Sequence, residues 1–99
     1  MISIREELDK AVNYETLETA LIKAAEETGL KIRNKEVSEK KGCTRTNFYL
    51  RGRFFSSMEV VTHNHGRPID FFRVYAGTPF GHASKKTVEA YIKRVQNYL

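Results

Sequence analysis

The sequence predicts one α+β domain over residues 1–99, with element order α(α)ββββα. Its four-stranded antiparallel sheet would carry the helices on one face. Three observations lead there. Leu17, Ala20, Leu21 and Ala24 recur at the spacing of a buried helical stripe, and Val88, Tyr91, Ile92, Val95 and Leu99 do the same near the end. Between these stripes lie four runs that alternate apolar with polar residues. At 99 residues the chain has material for one core and not for two.

Taken in order, Ser3 and Glu6 stand at capping-box spacing, which predicts a short helix over roughly residues 4–12. Asn13 can cap a second helix that begins at Tyr14. Gly29 followed by Leu30 fits a left-handed stop with its hydrophobic contact. "LKIRNKEV" and "TRTNFYLRGRFF" then read as a hairpin around "KKGC". A two-residue Lys41-Gly42 turn would set Lys35 against Phe48 and mix the faces. A three-residue loop, Lys41-Gly42-Cys43, is therefore expected, with Lys40 opposite Thr44. That register puts Lys35 opposite Tyr49, Arg33 opposite Arg51 and Lys31 opposite Arg53. Leu30, Ile32, Phe48, Leu50 and Phe54 would face inward.

"SMEVVTH" and "RPIDFFRVY" flank "NHGR", whose His65-Gly66 centre signals a second hairpin. A two-residue turn there pairs Val60 with Phe71 and Thr62 with Ile69. Met58, Val60, Ile69 and Phe71 would face the core. Glu59, Val61, His63, Asp70, Phe72 and Val74 would lie on the open face. The last helix starts at about Ser84.

Composition narrows the function classes. The hydrophobic share of 40% is ordinary for a globular protein, and no apolar run reaches bilayer length. "MISIREELDK" lacks the apolar stretch of a signal peptide, and the single Cys43 fits a reducing cytoplasm. One cysteine also excludes an internal disulfide and a multi-cysteine zinc site. The net charge of +5 divides unevenly: residues 1–28 carry −4 and residues 29–99 carry +9. A basic surface of that size attracts polyanions.

The expected function is therefore non-enzymatic nucleic-acid binding on a basic and aromatic sheet face. Arg33, Arg51 and Arg53 would meet phosphates, while Tyr49 and Phe72 would stack on bases. Lys85 and Lys86 would form the rim. They occupy the first turn of a helix, where a cation is mildly unfavourable unless an anion joins it. Glu89 offers Lys85 a partner at i+4. The alternative is a homodimer or partner-binding module that covers Val61, Phe72 and Val74.

No cofactor or metal is expected. His63 and His65 would share a face only if both lay on one strand, and the preferred turn takes His65 out of it. Neither Cys43, His82, Glu59 nor Asp70 stands at a recognised ligand spacing. Cys43 lacks an activating spacing to a histidine, and "GTPFGHASKK" lacks the P-loop arrangement.

"GHASKKTVEAYIKR" is locally similar to the start of the last helix in double-stranded RNA-binding domains. The likeness lies in Gly81, Ser84, Lys85 and Lys86, and implies that the two lysines face phosphates. The pattern departs at Glu89, where a basic residue is expected. It departs again at "KKGCT", which lacks the family's histidine-bearing loop, and in the four strands expected here against that family's three.

Overall fold

Five strands and two helices make up the computed structural model, which describes residues 1–77 and 82–99. Gly81 of the RNA-binding-like segment lies outside them. In chain order the elements are β1 (Ile2–Val12), α1 (Tyr14–Glu27), β2 (Lys31–Lys40), β3 (Cys43–Arg51), β4 (Ser57–Asn64), β5 (Ile69–Ala76) and α2 (Lys85–Asn97). The sheet is antiparallel throughout, in the order β1-β5-β4-β3-β2. The α+β class and the antiparallel sheet stand, but the strand count is five. No helix among the described residues is long and apolar enough to cross a membrane.

The fifth strand is the segment expected to be a helix over residues 4–12. Ile2 and Ile4 alternate with Ser3 and Arg5, which is the period of a half-covered strand. Ile2 pairs with Ala76 and Ile4 with Val74, so tertiary pairing overrides the capping-box spacing of Ser3 and Glu6. A register shift between Glu7 and Val12 interrupts this ladder.

The first hairpin adopts the two-residue turn, not the three-residue loop. Lys40 pairs with Cys43, and both central residues take positive φ, 51° at Lys41 and 77° at Gly42. That pattern matches the right-handed twist of the flanking strands. Lys35 does fall opposite Phe48, on the helix side of the sheet. Its ammonium escapes burial by reaching Glu18 of α1 at 2.9 Å, so the mixed face is resolved by an ion pair. A bulge at Arg33 then brings Ile32 opposite Leu50. The pairings expected for Arg33 and Lys31 change accordingly, and Lys31 lies opposite Arg51.

The second hairpin is displaced by three residues. Val60 pairs with Val74, not with Phe71, and residues 65–68 form the connection. Pro68 has no N–H to give a ladder, which favours starting β5 after it. Asn64 Oδ1 accepts the Gly66 N–H at 2.9 Å at the head of this loop. Three is an odd number, so residues 71–76 of β5 are turned over relative to expectation, while Ile69 lies in the core as expected. Phe72, Val74 and Ala76 are fully buried under the helices, while Phe71, Arg73 and Tyr75 face outward and are half-buried.

The core follows from these registers. Leu17, Ala20, Leu21, Ala24 and Ala25 of α1 and Val88, Tyr91, Ile92 and Val95 of α2 cover Phe48, Leu50, Met58, Val60, Phe72 and Val74. Asn13 Oδ1 caps α1 by accepting from the Thr16 N–H, and Ser84 Oγ caps α2 by accepting from the Thr87 N–H. Tyr91, 1% exposed, ties the helices together by donating its hydroxyl to the Leu21 carbonyl at 3.0 Å. All ten residues of β2, the edge strand beside β3, are exposed.

Phe54 does not join the core. It sits in a 3₁₀ turn at Arg53–Phe55, 94% exposed, with φ 56° and ψ 37°.

Candidate nucleic-acid interface

Lys31 and Arg51 face each other across β2 and β3 at one end of the sheet. Arg33 is carried in the β2 bulge, and Arg53 follows Gly52 in the turn beyond β3. Together with Gly29 and Gly52 these four cations line a groove of about 490 Å³. No carboxylate lines it. The two glycines add lining without side chains. A Cβ on Gly52 would stand 2.9 Å from Leu30 Cδ2 and 3.6 Å from the Gly29 carbonyl, so this turn packs directly on the end of α1. Four like charges around one concavity raise the local potential for an anion. Arginine adds planar, bidentate donors suited to a phosphate.

Arg33, Arg51 and Arg53, expected as phosphate contacts from their alternation, thus come together. Lys31 joins them although it is not among the expected contacts; its alternation with Arg33 along the strand was the available signal. Phe54 was also missed as an exposed ring, since period-2 alternation ran through "LRGRFF" into the core. The Gly52 break in that run was the available signal.

Tyr49 lies on the open face, two residues along β3 from Arg51. Its cross-strand neighbour is Glu59, which in turn faces Tyr75 of β5. Glu59 is 5% exposed although no helix covers it, and its carboxylate accepts from Asn47 Nδ2. Burial, then the Glu59 charge, pushes the Tyr49 phenol above the ordinary tyrosine range. Tyr49 therefore offers a protonated phenol and a ring, next to a carboxylate that repels phosphate.

Further along this face Phe71 is already engaged. The Arg5 guanidinium lies 3.8 Å from its ring centroid, and His63 stacks on it at 6.2 Å. Burial, followed by the charges of Arg45, His65 and Arg73, lowers the His63 pKa and keeps the imidazole neutral at pH 7. Cys43 Sγ is 3.9 Å from His63 Nδ1. His82 sits at the opposite end of β4, where its N–H donates to Ser57 Oγ at 3.3 Å. Among the described residues no group of three His, Cys, Asp or Glu side chains could hold a metal ion.

Two expectations for the open face are corrected by the β5 register. Phe72 is 0% exposed in the core, where no base can reach it. The apolar dimer patch of Val61, Phe72 and Val74 dissolves with it: Val74 is also internal, and Val61 is covered by its neighbours on the outer side. Lys85 and Lys86 are exposed in the first turn of α2. Ala83 donates its N–H to the Ser57 carbonyl at 2.9 Å, and Ser57 pairs with Arg51. The two lysines thus stand at the same end of the sheet as the groove, without lining it. Compared with family models, curated proteins and solved structures, the chain finds no match in any of the three.

Proposed function

We propose that this protein binds nucleic acid without catalysing a reaction, through the groove between the start of β2 and the turn after β3. One observation carries the reading: Lys31, Arg33, Arg51 and Arg53 converge on one concavity that no carboxylate lines. A phosphodiester entering it gains charge-assisted hydrogen bonds from fixed strand and turn positions. Tyr49 extends the surface along β3, and Lys85 and Lys86 form its rim. The local likeness around those lysines favours RNA over DNA. The single Cys43 fits work in a reducing cytoplasm.

The test is a salt titration of oligonucleotide affinity. The wild type binds at low salt, and log K falls linearly with log salt. Arg51→Ala with Arg53→Ala should reduce that slope by roughly 0.7 per lost single-strand phosphate contact. Lys40→Ala with Lys41→Ala, at the far end of the hairpin, should leave it unchanged. No binding at low salt, or an unaltered slope in the arginine variant, would refute the proposal.

A further inference from the structure

Phe54 is out of place by two independent criteria. An aromatic residue in the left-handed region is disfavoured, because its Cβ crowds the backbone. Such a conformation persists only where the surroundings impose it. Here the Gly52 N–H donates to the Ser56 carbonyl, and the Ser56 N–H donates to the Arg53 carbonyl at 3.0 Å, closing the turn around Phe54. The ring then recovers nothing by packing, since it is 94% exposed. A large apolar side chain held in a disfavoured conformation and buried against nothing is unexplained within the chain.

Its position supplies the explanation. Phe54 directly follows Arg53, which lines the cationic groove, and the turn that presents it also contributes Gly52 to the lining. Resting on the function proposed above, we infer that the groove takes a single-stranded segment, with an unpaired base stacked on Phe54 while its phosphates lie among Lys31, Arg33, Arg51 and Arg53. Stacking on a ring needs a free base face, which a single strand offers and a closed duplex withholds. Phe71, which faces outward from the sheet, cannot serve, as Arg5 and His63 already occupy its ring. The cations surround a concavity and do not ring a protruding apolar tip, which favours a chain threaded through them over a flat lipid surface.

The experiment titrates the full-length protein into a 12-nucleotide RNA with a central 2-aminopurine, single-stranded and as a duplex. Wild type should prefer the single strand and quench the fluorescent base. Phe54→Ala should lower single-strand affinity about 5- to 150-fold, abolish the quench and leave duplex affinity unchanged. Phe54→Tyr should keep both affinity and quench. The ring is exposed, so these variants fold as wild type does, which their circular dichroism verifies.

Unchanged single-strand affinity and quench in Phe54→Ala would overturn the inference while leaving the groove's function standing. So would equal losses on single strand and duplex. A wild type that binds neither form at low salt removes both readings. Phe54-dependent binding to phosphatidylserine vesicles in place of RNA would assign the turn to a membrane surface and overturn this inference.

Discussion

Replacing Tyr91 by Phe deletes one oxygen from the centre of the molecule, and its effect should change sign with pH. The Tyr91 hydroxyl donates to the Leu21 carbonyl at 3.0 Å, linking α2 to α1 in a place that is 1% exposed. At pH 7 the loss is one neutral buried hydrogen bond, worth about 1 kcal/mol. Burial pushes the Tyr91 phenol well above the ordinary tyrosine range. Its folded pKa is raised, so the folded state holds its proton to higher pH than the unfolded chain does. The stability this provides is complete below the unfolded value near pH 10 and drains away as pH rises above it.

The unfolded phenol alone ionises between pH 10 and 11, which costs the wild type about 1.4 kcal/mol by pH 11. Tyr91→Phe escapes that loss. A deficit of about 1 kcal/mol at pH 7 should therefore become an advantage of roughly 0.4 kcal/mol at pH 11. Tyr14, pushed up to about 12 first by burial, also titrates in this range but is common to both proteins and cancels in the difference. Urea denaturation at pH 7, 9, 10 and 11, read at constant m, measures the crossover. A difference that stays constant from pH 9 to pH 11 would refute the burial and bonding assigned to Tyr91.

The two hairpins give further expectations. Lys41→Asn should raise the urea midpoint at unchanged m. It places the residue best suited to a two-residue turn at φ 51° and recovers part of the ~1–3 kcal/mol that a left-handed non-glycine costs. A lowered midpoint would contradict the turn. Phe72→Ala should cost about 3–5 kcal/mol, as expected for emptying a core site. A loss below about 1 kcal/mol would mean that the ring lies on the surface and that β5 is turned the other way.

What could be read in the sequence depended on whether local chemistry decided the outcome. For α1 it did: Asn13 caps it, the Leu17 to Ala24 stripe is buried, and Gly29 follows its end at φ 74° as the sequence suggests. For β1 it did not, because Ser3 and Glu6 imitate a helix start while Ile2 and Ile4 already keep strand period. Lys35 argues against the two-residue turn in the sequence, and Glu18, seventeen residues away on a helix, helps make its position on the helix side tolerable. In β5, Arg73 between Phe72 and Val74 signals which side is wet, whereas the Gly66 turn signal points to the opposite register. The basic groove was largely visible, since alternation had already placed Arg51 on the side away from the core. Its full membership required the bulge at Arg33 and the turn after Gly52, which are properties of the folded hairpin.

The exposed β2 edge has a consequence for how this molecule meets others. The outer edge of a ten-residue strand is an open template for another backbone, and proteins blunt such edges with bulges and misplaced charges. Here the bulge is at Arg33, and Lys35 turns its charge toward the helix side, so an added strand would have to accommodate both. Arg33 therefore holds two assignments, lining the groove and marking the bulge that guards the edge. A variant that makes Arg33 apolar weakens the groove and the edge together, so loss of ligand and gain of strand-to-strand association are tied to one residue.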